Sequence, residues 1–347
     1  MNHISIVQPT VEKQNRSDGS RLIDPHGRKI SYLRVSVTDR CNLRCFYCRP
    51  NGIFEALSHK DILTYEEMYR LIKIGADLGI KKIRITGGEP LVRNGIVEFI
   101  TELKKINGLE DISLTTNGVY LNQHLEKLYS GGIKRINISM DTLKRDRYRE
   151  ITGADRFNEV WESIRLAEKI NFQPIKINMV VIKGINDDEI KAMALLTKSH
   201  PYLIRFIEYM PVGIQKQKPG DYFISSLKIK QQIEQIGRLI PISSNTFDGP
   251  AKMYQFENAP GRVGFISAMS NHFCGTCNRL RLTAGGYLKP CLLSNIKQDI
   301  KGPLRSGFLD NELADVFIKA LNSKPMEHQL DSMAKSFILD QMSNIGG

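Results

Sequence analysis

Six short segments rich in Ile, Val, Leu and Thr, each followed by a helical pattern, constrain this 347-residue chain more than any other feature. The strand candidates are residues 30–38, 82–86, 111–115, 134–139, 174–182 and 203–208, each bounded by Gly, Asn, Asp or Pro. The first helical stretch opens with Thr64 and Glu67, a capping-box pair, and puts Met68, Leu71, Ile72, Gly75 and Ala76 on one face. Further helical stretches span roughly 95–106, 122–130, 155–170 and 187–199. Strands alternating with helices form a parallel sheet with the helices outside. Six units predict an α/β fold, an incomplete (βα)6 TIM-like barrel rather than the full eight, with chemistry at the C-terminal ends of the strands. After residue 245 the rhythm fails. Segments at 253–256, 262–267 and 279–283 then predict a small separate module, followed by one helix over about 311–322.

Composition narrows the class. Hydrophobic residues at 41% and charged ones at 25% exclude a disordered or fibrous chain. The mean hydropathy is -0.27, and no stretch approaches the roughly 18 to 20 apolar residues of a membrane span. The net charge of +12 favours anionic partners, although its basic residues fall in scattered pairs that also suit a solvated surface. Residues 1–20 hold one short apolar stretch without a cleavage pattern, and Glu12 and Asp18 oppose a transit peptide; they read as an extension.

All six cysteines fall into two triplets: Cys41, Cys45 and Cys48, then Cys274, Cys277 and Cys291. Disulfides, a shared zinc site and fortuitous burial are the alternatives to a metal cluster. A disulfide framework suits small secreted domains rather than a large chain without a signal. Structural zinc wants four ligands, and neither triplet has a fourth cysteine, although His272 lies two residues before Cys274. A four-iron cubane held by three thiolates would keep one iron open for a ligand. The first triplet is a C-x3-C-x2-C run just past the first strand. Gly87-Gly88-Glu89-Pro90 follows the second strand and Thr115-Thr116-Asn117-Gly118 ends the third, so all three motifs share one rim.

That C-x3-C-x2-C run resembles the signature of the radical S-adenosylmethionine (SAM) superfamily. The resemblance implies that the open iron chelates SAM and that Tyr47, Gly88, Ser139 and Met210 contact it. The second triplet, Cys274-Gly-Thr-Cys277 with thirteen residues before Cys291, narrows the likeness to the GTP 3′,8-cyclase family of molybdenum cofactor biosynthesis. The similarity begins at about Arg34 and takes in Arg34-Val-Ser-Val-Thr-Asp-Arg-Cys41, Lys176-Ile-Asn178, Gly184-Ile-Asn-Asp187 and the terminal Ile345-Gly346-Gly347. Gly285-Gly286 departs from it, where Asp is expected first in the turn, but a turn tolerates either residue.

The resemblance implies two [4Fe-4S] clusters, SAM as cofactor and GTP as substrate, contacted by Arg34, Arg84, Thr115, Lys176, Arg279, Leu280 and Arg281. Arg279 and Arg281 are the catalytic candidates, and alternation along a strand points both to one face. It divides the chain into the extension 1–20, a radical SAM partial barrel 21–245 and an auxiliary-cluster and GTP-binding module 246–347, whose Gly-Gly tail reaches the active site. It further implies a flavodoxin- or ferredoxin-type electron donor, and a product passed to cyclic pyranopterin monophosphate synthase. The enzyme is expected to be a cytoplasmic monomer or homodimer with neither nucleic-acid nor membrane partners. A peptide-modifying radical SAM enzyme would share the first triplet but carry more auxiliary cysteines. An electron-transfer protein would give each cluster a fourth ligand, and a zinc-dependent nucleic-acid binder would contain no iron.

Overall fold

The computed structural model describes residues 21–49, 56–133, 135–212, 221–243, 249–328, 330, 338 and 340–346. The extension 1–20 and Gly347 lie outside the described residues. Six parallel strands follow one another in sequence and in space: β1 (Tyr32–Ser36), β2 (Lys82–Thr86), β3 (Asp111–Thr116), β4 (Ile136–Ser139), β5 (Ile175–Val181) and β6 (Leu203–Glu208). Six more strands follow: β7 (Leu239–Pro241), β8 (Lys252–Phe256), β9 (Arg262–Ile266), β10 (Arg279–Leu282), β11 (Tyr287–Lys289) and β12 (Gln298–Asp299). The helices are α1 (Tyr65–Asp77), α2 (Ile96–Leu103), α3 (Leu125–Ser130), α4 (Arg145–Thr152), α5 (Phe157–Lys169), α6 (Ile190–Ser199), α7 (Ser226–Glu234), α8 (Lys301–Arg305), α9 (Asp310–Asn322) and α10 (Met342–Ile345). Among the described residues, no helix is long and apolar enough to cross a membrane.

Local chemistry explains where elements begin. Thr64 Oγ1 accepts from the Glu67 N–H at 3.2 Å and Glu67 Oε2 accepts from the Thr64 N–H at 2.7 Å, which closes the capping box at the start of α1. Helix α4 escapes a periodicity search because its sequence is dominated by Arg, Asp and Glu; only Tyr148, Ile151 and Thr152 turn inward.

The strands sort their side chains by face. Leu33, Val35, Ile83, Ile85 and Leu114 are fully buried and join Met68, Leu71, Ile72 and Ile100 of the helices in one core. Each such side chain stabilises the fold by about 1.5–3 kcal/mol relative to exposure. The alternate positions, Tyr32, Arg34, Arg84 and Arg281, line a cavity instead. A TIM barrel fills its interior with branched apolar side chains; here a cavity remains, with these polar and cationic side chains among its lining.

The C-terminal strands do not form a sheet of their own, in contrast to the separate module expected from the lost rhythm. They extend the barrel sheet at both edges, in the order β12-β11-β10-β1-β2-β3-β4-β5-β6-β9-β8-β7. Strand β9 pairs parallel with β6, and β10 pairs parallel with β1. The edges left unpaired by an incomplete barrel are thereby satisfied.

Candidate active site

Beyond the end of β1 the chain turns through Thr38 to Arg40 and enters the loop of Cys41, Cys45 and Cys48. The Gly87-Gly88 turn after β2 clamps this approach: the Gly88 N–H donates to Thr38 O at 2.6 Å and the Glu89 N–H to Arg40 O at 2.8 Å. A Cβ on Gly88 would sit 2.2 Å from Arg40 O. The glycines are thus required by backbone meeting backbone, and Gly88 also faces the cavity, where the sequence placed it. Buried Glu89 accepts from the Leu91 N–H, the Thr116 hydroxyl and the Asn117 N–H, tying this turn to the end of β3. Burial pushes its carboxyl up to about 7 against those donors. Asn117 Nδ2 in turn lies 3.7 Å from Cys41 Sγ.

All three thiols of this loop face a cavity of about 270 Å³. Burial, then the charges of Cys48, Asp141 and Cys41, push the Cys45 thiol well up; burial and Cys41 push Cys48 up to about 12. These are three desolvated sulfurs within electrostatic reach of one another, an arrangement that a cationic group must compensate before they ionise. Three thiols without a fourth cysteine suit a cubane that keeps one iron open better than four-coordinate zinc. The second triplet is also mutually close. Burial, Cys291 and Cys277 raise the Cys274 thiol, while at Cys277 the cations Lys324, Arg279 and Arg281 overcome burial and lower it. Cys274, Cys277 and Cys291 are not cavity-wall residues, but their neighbours Phe273, Arg279, Arg281 and Leu292 are.

Strand register assembles the cations. Arg34 pairs with Arg84 on one side and Arg281 on the other; Tyr32 pairs likewise with Lys82 and Arg279. Burial and then Arg281 bring the Arg34 guanidinium well below its ordinary range, and burial with Arg279 brings Arg281 to about 10. Arg84 Nε and Thr115 Oγ1 are buried without a hydrogen-bond partner. Crowded, desolvated guanidiniums, with the Arg84 Nε–H and the Thr115 hydroxyl unpartnered, suit a multivalent anion. The chain's own tail supplies one contact: Gly346 O accepts from Arg281 Nη1 at 2.7 Å and Arg34 Nε at 3.2 Å.

The other wall residues foreseen from sequence are Tyr47, Ser139 and Met210. Tyr47 is held by a 2.6 Å hydrogen bond to Asp141 Oδ2, whose partner oxygen accepts from the Val180 N–H. Burial raises the Asp141 carboxyl to about 6. Two foreseen residues sit elsewhere. Leu280 points into the apolar core, leaving only its backbone for a ligand, and buried Lys176 lies one inward position below the wall residue Asn178 on β5. Tyr32, Asn178 and Arg205 also line the wall, although the sequence assigns none of them a site role. Arg205 Nε donates to Asn178 Oδ1 at 2.8 Å, and its Nη2 donates to Asn137 Oδ1. Their signal was a polar residue at an inward position of a strand otherwise rich in Ile and Val.

Comparison with known proteins agrees with this geometry. Residues 35–197 match the Radical SAM superfamily, and residues 202–330 match the family described as Molybdenum Cofactor Synthesis C. The solved structure of Streptococcus suis SuiB bound to S-adenosylmethionine aligns with a TM-score of 0.59 at 17% identity, covering 86% of this chain and 69% of that one. Native anSMEcpe with bound AdoMet aligns at 0.56 and 18%, covering 86% and 82%. Both share the fold. The GTP 3′,8-cyclase of Thermodesulfovibrio yellowstonii is 49% identical over 93% of this chain and 99% of its own length; that of Heliobacterium modesticaldum is 46% identical over 94% and 100%. At that identity, over nearly the whole of both chains, this protein belongs to the GTP 3′,8-cyclase family of the radical SAM superfamily.

Proposed function

We propose that the chain converts GTP to (8S)-3′,8-cyclo-7,8-dihydroguanosine 5′-triphosphate, the first step of molybdenum cofactor biosynthesis. The observation that carries the reading is one chamber walled both by three thiols and by Arg34, Arg84, Arg279 and Arg281, with Arg84 Nε buried and without a hydrogen-bond partner. Cys41, Cys45 and Cys48 would hold one [4Fe-4S] cluster and Cys274, Cys277 and Cys291 a second. When bound, the first cluster supplies the electron that cleaves SAM, giving the 5′-deoxyadenosyl radical that removes hydrogen from the ribose C3′ of GTP.

The protein's own residues position and enclose. Tyr47, fixed by Asp141, together with Gly88, Ser139 and Met210, forms the SAM side of the wall. Arg34, Arg84, Arg279 and Arg281 neutralise the triphosphate and hydrogen-bond the guanine edge, with Thr115 Oγ1 and the Leu280 backbone adding substrate contacts and buried Lys176 adding positive charge from beneath Asn178. Holding C3′ against C8 gives an intramolecular bond-forming step its advantage. Arg281, still cationic at neutral pH even at about 10, and Arg279 are assigned the proton that, together with one electron originating from the external donor, completes the product. The Gly346 carbonyl sets the direction of two of these guanidiniums.

On this reading residues 21–245 act as the SAM-handling barrel and 246–347 as the module that closes it and anchors guanine. The assignment extends to a flavodoxin- or ferredoxin-type donor, a cytoplasmic monomer or homodimer, and delivery of the product to cyclic pyranopterin monophosphate synthase. The test is anaerobic incubation of the reconstituted chain with dithionite, SAM and each nucleoside triphosphate in turn. GTP alone is expected to give 5′-deoxyadenosine together with an isomer of GTP. SAM cleavage indifferent to the nucleotide would overturn the substrate assignment.

A further inference from the structure

Lys324, in the loop that follows α9, has no part in the reading above, yet its side chain is buried against the second cysteine triplet. Its ammonium donates to Arg279 O at 2.8 Å and Pro290 O at 2.5 Å, and it lies 3.7 Å from Cys277 Sγ. Arg279 follows Cys277 by two residues and Pro290 immediately precedes Cys291, so one cation grips both ends of the triplet's long spacing. The same loop approaches the remaining cysteine, because the His328 backbone N–H hydrogen-bonds the Cys274 sulfur. Arg28 locks the loop in place: paired with Asp24 at 2.5 Å, it donates to Cys274 O at 2.6 Å, Pro325 O at 2.6 Å and Met326 O at 2.8 Å. A buried lysine could have satisfied carbonyls anywhere in the fold. This one reaches a sulfur, which is the atom through which a protein tunes a cluster.

We propose that Lys324 is a positioning residue for the C-terminal iron-sulfur cluster, its ammonium holding Cys277 and the turn before Cys291 in ligating geometry and stabilising the cluster's reduced state. The inference rests on the two-cluster reading. A hydrogen-bond donor and a positive charge at a ligating sulfur favour the extra electron, and such outer-shell partners tune affinity and potential. A lysine that merely stapled carbonyls together would leave the potential unmoved.

The test uses the full chain carrying Cys41→Ala, Cys45→Ala and Cys48→Ala, so that the C-terminal cluster is titrated alone. Iron and sulfide are counted, and the reduction potential is followed by electron paramagnetic resonance, for Lys324 and for the variants Lys324→Met, Lys324→Gln and Lys324→Arg. Lys324→Met is expected to move the potential negative by a tenfold change in the redox equilibrium, about 59 mV for one electron, or to lose most of the iron; Lys324→Arg restores both. If Lys324→Met does not fold, as judged by circular dichroism of the iron-free chain, Lys324→Gln against Lys324→Arg carries the same comparison. Equal iron content and equal potential in every variant would overturn the proposal. Absence of a cluster from the Lys324 chain would instead overturn the two-cluster reading, and the inference with it.

Discussion

At Gly88 one methyl group decides whether the first cysteine loop can close. A Cβ there would lie 2.2 Å from Arg40 O and 2.6 Å from Arg40 C, backbone atoms that cannot swing aside. Gly88→Ala is therefore expected to displace the approach to Cys41 and cut iron bound by the first triplet by more than half, with SAM cleavage falling in parallel. Iron analysis of the purified variant checks this, and wild-type loading would contradict it. Tyr32 makes a different prediction. Burial alone would raise its phenol, but Arg84, Arg34, Arg279 and Lys82 together outweigh burial and bring it down to about 8. As pH rises through 8 the phenolate forms and cancels one unit of the positive charge that meets the triphosphate; bound triphosphate, conversely, pushes the phenol back up. The KM for GTP should rise above pH 8 in the wild type and rise less in Tyr32→Phe. Parallel profiles for the two proteins would remove Tyr32 from the electrostatics of the site.

At the scale of elements, the six strands and the capped α1 were legible because each is a short run of one pattern with its own boundary signals. What the sequence concealed was long-range pairing. Nothing local in Arg279–Leu282 says that it lies parallel to β1, yet that register puts Arg281 beside Arg34 and Arg279 beside Tyr32. The same blindness hid the roles of Arg205 and Asn178, which emerge only once β5 and β6 are seen to face a chamber. Leu280 is the reverse case: it shares a motif with the two arginines, but strand alternation turns its side chain into the core and leaves only its backbone toward a ligand. The tail is the element whose position most exceeds what a terminus usually does. Gly346, at φ 68°, hands its carbonyl to two guanidiniums, and a Cβ there would lie 2.4 Å from Thr86 Oγ1. A charge-assisted hydrogen bond is worth about 1.5–3 kcal/mol, so Gly346→Ala should lower cyclisation roughly 10- to 100-fold while both clusters remain loaded. Unchanged product formation would show that the tail is a bystander.

For the whole molecule, the pairing of β10 with β1 brings Phe273, Arg279, Arg281 and Leu292, residues flanking the second cysteine triplet, into the wall of the chamber that the first triplet faces, more than two hundred residues away in sequence. Part of the +12 net charge is thereby turned inward, onto the wall of the chamber. The central claim is that this chamber presents the ribose C3′ of GTP to the radical derived from SAM. It is tested most directly by one anaerobic turnover with GTP deuterated at C3′, reading the mass of the 5′-deoxyadenosine formed. The account predicts deuterium in 5′-deoxyadenosine from that substrate and none from GTP deuterated at C2′ or C4′. Unlabelled 5′-deoxyadenosine from the C3′-labelled substrate, with product still forming, would contradict it.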